Sequence, residues 1–102
     1  MAKHLVAKVG ELGIGTMRRI SVNGEEICLA HAEDGAFYAI SDVCTHEEYS
    51  LSEGELWGLE VECPAHGSRF NLRTGQVTGL PAVMPARVYE VSVEGDDVYV
   101  EV

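Results

Sequence analysis

Apolar residues in this chain recur at every second position in short runs, and the runs are separated by glycine and aspartate. Leu5, Ala7 and Val9 alternate with neighbours that are polar in part, which predicts a first strand; Ile20 and Val22 continue a second that begins near Thr16. Asn23-Gly24 is a strong signal for a two-residue hairpin, because both positions tolerate the positive φ such a turn needs, and it leads into a strand over 25–32. Asp34-Gly35 reverses the chain into 36–40. Further on, Leu56-Trp57-Gly58 and 59–62 predict a short hairpin, and two alternating runs, 88–93 and 98–102, are joined through Gly95-Asp96-Asp97. The glycines of Gly10-Glu11-Leu12-Gly13-Ile14-Gly15 are wrongly spaced for a dinucleotide loop and no helix-period segment follows, so this stretch reads as a turn. No segment carries a sustained helical stripe. The pattern predicts an all-β fold, an antiparallel β sandwich or small barrel.

A length of 102 residues bounds this to one domain with a single core, and 46% hydrophobic with 24% charged residues marks a globular chain. The first residues contain no long apolar stretch and no run approaches the length of a membrane span, so a soluble cytoplasmic protein is expected. Seventeen acidic against seven basic residues give a net charge of −10, which disfavours nucleic acid and anionic membranes and favours basic docking surfaces. Glu47, Glu48, Glu53, Glu55, Glu60 and Glu62 concentrate that charge in one region, either as a solubilising face or to steer partners with on-rates that fall as salt rises. Cys28, inside Ile27-Cys28-Leu29, reads as a small buried hydrophobe.

Chemistry concentrates in two segments. Cys44-Thr45-His46 is answered, after sixteen residues, by Cys63-Pro64-Ala65-His66, with Gly67 and Ser68 following at once. In an extended segment residues two apart point to the same side, so Cys44 and His46 can reach one object. Pro64 presets the second segment and Gly67 permits a left-handed turn after His66. Two thiolates and two imidazoles suit tetrahedral zinc. Yet structural zinc sites pair Cys with Cys and His with His at short spacing, whereas here each segment mixes the two types. A mixed pair is what a two-iron centre needs if each loop supplies one Cys to one iron and one His to the other.

The wider stretch, Cys44-Thr45-His46 with Ser50-Leu51-Ser52-Glu53-Gly54, then Glu62-Cys63-Pro64-Ala65-His66-Gly67-Ser68-Arg69-Phe70-Asn71 and Thr74-Gly75, closely resembles the Rieske-type ferredoxins of bacterial ring-hydroxylating dioxygenases of the biphenyl, naphthalene and carbazole kind. The resemblance covers nearly the whole chain. It implies one [2Fe-2S] cluster, with Cys44 and Cys63 on the inner iron and His46 and His66 on the outer iron. It also implies an inserted layout, with a base of residues 1–41 and 86–102 carrying a cluster-binding subdomain over about 42–85. A loop from Thr78 to Pro85, rich in proline and apolar residues, is then expected to cover the cluster from a third side.

Respiratory-chain Rieske proteins, which this sequence also resembles, carry an extra Cys in each loop and a Tyr four residues after the second His. Here those positions are Tyr49, Ala65 and Phe70. No disulfide can join these loops, and the hydroxyl that would donate to a cysteine sulfur is absent, although Ser68 remains as a donor. Two ferric ions, two sulfides and two thiolates sum to zero, so the first electron enters more easily than in an all-thiolate cluster. Fewer hydrogen bonds to sulfur then set the potential near the low end of the Rieske range, about −150 mV.

The implied function is a one-electron carrier, a monomer, between an NAD(P)H-dependent ferredoxin reductase and a terminal oxygenase. It is not itself an enzyme: only His4 and His31 remain, too few for the two His and carboxylate of a mononuclear iron site within so short a chain. A small subunit of another reductase, such as nitrite reductase, and a structural zinc module are the alternatives.

Overall fold

The strand β3 (Glu25–His31) is the one on which both cores are built, because from Ile27 onward every residue is buried and successive side chains face opposite ways. Ile27 and Leu29 enter one apolar cluster with Ala7, Ala39, Val98 and Val100, while Cys28 and Ala30 enter another with Leu51, Val61, Phe70 and Leu72. A strand covered on both faces must be nearly all apolar, as Ile27-Cys28-Leu29-Ala30 is. The computed structural model describes residues 2–44, 49–65, 67–80 and 84–102.

Around β3 the described residues form three antiparallel sheets. The other strands are β1 (Lys3–Lys8), β2 (Thr16–Val22), β4 (Phe37–Ser41), β5 (Glu55–Trp57), β6 (Glu60–Glu62), β7 (Arg69–Asn71), β8 (Val77–Gly79), β9 (Val88–Tyr89), β10 (Val91–Glu94) and β11 (Asp97–Glu101). Their orders are β1-β11-β10, β2-β3-β4-β9 and β5-β6-β7-β8. The Asn23-Gly24 hairpin forms with both φ values positive, 51° and 80°. Residues Val9–Glu11 make a short 3-10 turn, in line with a turn and not a nucleotide loop. Among the described residues no helix is long and apolar enough to cross a membrane.

Three features depart from the pattern. In β1 the register slips between Leu5 and Ala7, which face Tyr99 and Val98, so Val6 is an extra residue. Such a bulge breaks the two-residue period, leaving Leu5 56% exposed while Ala7 is buried, and Val9 has left the strand. The run 88–93 is two strands, because β9 pairs with β4 whereas β10 pairs with β11 across Glu90. Strands β7 and β8 were not foreseen; each has three residues and one large apolar side chain, too little to display an alternation.

Sheet β5-β6-β7-β8 carries the chain to the second predicted loop. Its junction with the first loop is tight at Gly54, which ends the 3-10 turn Leu51–Glu53. A Cβ there would lie 1.8 Å from the backbone oxygen of Glu62, the residue before Cys63. Replacing Gly54 by Ala is therefore expected to push the two loops apart and to cost about 3 kcal/mol in urea unfolding, with lowered cluster content; unchanged stability would contradict the contact.

Tyr89 of β9 is tied to β3, donating its hydroxyl to Glu25 at 2.6 Å. Burial, reinforced by that carboxylate and opposed by Arg87, pushes its pKa up to about 12. The unfolded value is about 10, so the folded state holds the proton more tightly. This contribution to stability is complete below about pH 10 and is lost as the pH rises toward 12. Tyr89→Phe is expected to flatten the decline in denaturation midpoint across that window; an equally steep decline would refute the assignment.

Candidate metal centre

The first predicted loop leaves β4 through Asp42, a residue only 2% exposed. Its N–H donates to the Glu26 carbonyl at 3.0 Å, and its carbonyl accepts the Leu51 N–H at 2.7 Å. Its carboxylate accepts from the Ser50 hydroxyl and from the Ser52 N–H at 2.8 Å. Val43 and Ser50 form an antiparallel bridge, and the Cys44 N–H donates to the Tyr49 carbonyl at 3.0 Å. Residues 42–44 and 49–52 thus form a closed stem, with Cys44 at the end where the loop opens. From β2, Arg19 brings Nε to 3.7 Å from the Asp42 carboxylate and 3.1 Å from that of Glu26.

The second loop is closed by its own backbone. The Cys63 N–H donates to the Ser68 carbonyl at 2.7 Å and the Gly67 N–H to the Cys63 carbonyl at 3.3 Å. Gly67 has φ of 77°, the left-handed turn expected after His66. The predicted hairpin β5-β6 delivers Cys63, with Leu56 opposite Val61. Behind it Arg69 pairs with Glu62 at 3.0 Å and Glu60 at 3.8 Å, and stacks over the half-exposed Trp57 at 5.1 Å. Of the predicted acidic group, Glu60 and Glu62 are therefore partly neutralised, Glu53 and Glu55 are exposed, and Glu47 and Glu48 lie outside the described residues.

Of the four predicted ligands, Cys44 and Cys63 are both buried and belong to the same apolar cluster as Leu51, Val61, Phe70 and Leu72. His46 and His66 lie outside the described residues. Thiol donors from two loops in a shared apolar enclosure fit an iron-sulfur group, which needs sulfur ligands and exclusion of water. Phe70 is fully buried at the position where a phenol would donate, and Ser68 is buried with its carbonyl accepting the Cys63 N–H. Of the predicted cover, residues 81–83 lie outside the described residues, and the flanking Leu80 and Met84 are exposed.

The remaining candidates are structural. Cys28 is fully buried with its sulfur 3.5 Å from that of Met17, and burial pushes its thiol pKa up, with Asp42 adding to the effect. A thiol so held stays protonated and is a poor metal ligand. His31 sets one ring nitrogen 2.7 Å from the Leu12 carbonyl and the other 3.2 Å from that of Gly35, and stacks on Phe37. His4 lies near Asn23. Sequence reasoning missed Asp42, Ser50 and Ser52 as the loop anchor; an aspartate two residues before the first Cys, followed by Ser-Leu-Ser after the loop, is the signal that was available.

The model of the Rieske [2Fe-2S] domain matches residues 2–90. This chain belongs to the Rieske [2Fe-2S] domain family. It is 40% identical over 101 residues to the biphenyl 2,3-dioxygenase ferredoxin component of Rhodococcus jostii strain RHA1, covering 99% of this chain and 94% of that one. The ferredoxin of carbazole 1,9a-dioxygenase from Nocardioides aromaticivorans IC177 matches with a TM-score of 0.93 and 38% identity, over 98% of this chain and 97% of that one. A complex of reduced oxygenase and oxidized ferredoxin in carbazole 1,9a-dioxygenase holds a chain that matches at TM-score 0.91 and 39% identity, over 96% of this chain and 100% of that one. A nitrite reductase small subunit at 20% identity shares the fold alone. As a Rieske ferredoxin the chain carries a [2Fe-2S] cluster and transfers electrons without catalysing bond chemistry, which sets the zinc alternative aside.

Cys28→Ala is accordingly expected to retain about two irons per chain and an unchanged visible spectrum, while losing about 1 kcal/mol of stability. Loss of iron from that variant would make Cys28 part of the centre.

Proposed function

We propose that this ferredoxin carries single electrons from an NAD(P)H-dependent reductase to the terminal oxygenase of an aromatic-ring dioxygenase, as a cytoplasmic monomer. The observation that carries this reading is the full-length likeness to the ferredoxin of an oxygenase–ferredoxin complex. In this reading Cys44 and Cys63 would hold one iron, and His46 and His66 would hold the other through one ring nitrogen each. When bound, the [2Fe-2S] cluster accepts and returns one electron. The base comprises residues 1–41 and 86–102, and the cluster-binding subdomain comprises about 42–85. Support for that division comes from β5-β6-β7-β8 forming a sheet of its own between strands of the other two.

The protein's own groups perform the rest. The stem at Asp42 and the Cys63–Ser68 closure hold the two thiolates, and Leu51, Val61, Phe70 and Leu72 exclude water behind them. In this reading the ring nitrogens of His46 and His66 that do not bind iron would donate their N–H groups to a partner and shorten the electron path. The exposed Glu53 and Glu55 extend the acidic field that attracts a basic partner surface.

With a cognate reductase and oxygenase, product formation is expected to require this chain, and the rate of reduction to fall with rising salt. Recovery of the chain only as a tightly bound subunit of a large reductase would overturn the proposal. A redox titration of the same protein is expected to give a midpoint near about −150 mV, falling at alkaline pH as oxidation favours loss of the imidazole proton; a midpoint above about +100 mV or a pH-independent one would contradict the ligand and hydrogen-bond assignment.

A further inference from the structure

Asp42 is a buried carboxylate two residues from a proposed ligand, and it does more than a turn requires. Both its backbone groups and its carboxylate are bonded, to β3 through Glu26 and to the far side of the loop through Ser50, Leu51 and Ser52. A backbone bond network alone would close the stem; the carboxylate adds a full negative charge in an enclosure where charge is weakly screened. A single cation reaches it from the base among the described ion pairs: Arg19, at 3.7 Å, itself more than half exposed and shared with Glu26 at 3.1 Å. The triad carries one net negative charge beside the first ligand loop, with its positive member at the surface.

We propose that Asp42 is the positioning residue of the Cys44 loop and that the Asp42–Arg19 pair sets the midpoint potential of the cluster from its side. The buried carboxylate opposes entry of an electron, and Arg19 offsets part of that opposition. Two consequences of opposite sign follow, which loosening of the loop does not produce. Asp42→Asn keeps the shape and an oxygen for the Ser52 N–H but removes the charge, so the cluster becomes easier to reduce. Arg19→Gln leaves the carboxylate uncompensated, so the cluster becomes harder to reduce. The surface position of Arg19 makes its effect dependent on ionic strength, whereas that of Asp42 is not. The inference rests on Cys44 as a cluster ligand, as proposed above.

The test is a mediated redox titration of iron-loaded wild type, Asp42→Asn, Arg19→Gln and the uncharged control Ser50→Ala, followed by visible absorption and by electron paramagnetic resonance of the reduced forms. Asp42→Asn is expected to shift the reduced-to-oxidised ratio at fixed potential upward by roughly tenfold, about 59 mV for one electron. Arg19→Gln is expected to shift it downward by a smaller factor that shrinks in about 1 M salt, and Ser50→Ala to move it least. Shifts of the same sign in the two charge variants, or an unmoved potential in Arg19→Gln, overturn the proposal even if Asp42→Asn fails to retain its cluster. Loss of Cys44→Ser from this pattern is separate: a Cys44→Ser variant with the full wild-type spectrum overturns the ligand reading, and this inference with it.

Discussion

Closure of the first loop on the buried carboxylate of Asp42 is the interaction on which the proposed metal centre depends. A loop that supplies metal ligands cannot also supply much core, and ordering its backbone costs about 1–2 kcal/mol per residue. That cost is offset at the stem, where Asp42 binds Glu26, Ser50, Leu51 and Ser52 and the Cys44 N–H binds Tyr49. Without those donors the buried Asp42 carboxylate would keep only the ion pair with the half-exposed Arg19, so the stem and the charge stabilise one another. The second loop needs less, because the hairpin before it and the Cys63–Ser68 and Gly67–Cys63 bonds close it directly.

Behind both loops lies β3, and its two-sided burial explains how the site is fixed to the other sheets. Cys28 and Ala30 face the apolar cluster that also holds Cys44, Cys63, Val61 and Phe70, while Ile27 and Leu29 face the cluster of the opposite sheet. Distortion of β3 therefore reaches both. The contact at Gly54, where no side chain fits against Glu62, brings the two loops to a common enclosure. Electrostatics follow the same division: Arg69 offsets Glu60 and Glu62 behind the hairpin, whereas Glu53, which acts on Arg19, and Glu55 are exposed.

Much of this was legible in the residues. Alternation and turn dipeptides placed β2, β3, β4 and β11 and the β5-β6 hairpin, and the mixed Cys-x-His and Cys-x-x-His segments pointed to the donor set. The misses have local causes. The bulge at Val6 inverts the period inside a single strand, and Glu90 passes the chain from one sheet to another without interrupting an apolar run. Strands β7 and β8 are fixed by pairing with their neighbours and leave no periodic trace. The role of Asp42 is tertiary: the spacing of Asp42 from Cys44 and from Ser50-Leu51-Ser52 hints at the loop anchor, but its bond to Glu26 of β3 and its pairing with Arg19 of β2 leave no local trace.

The central claim is that Cys44 and Cys63 bind one iron while His46 and His66 bind the other. Nitrogen hyperfine coupling in the electron paramagnetic resonance of the dithionite-reduced protein tests it most directly. Two inequivalent imidazole nitrogens, with the low average g value of a histidine-ligated cluster and one nitrogen lost in each of His46→Cys and His66→Cys, is the result the account predicts. A reduced cluster without nitrogen coupling, or coupling that survives both substitutions, would contradict it.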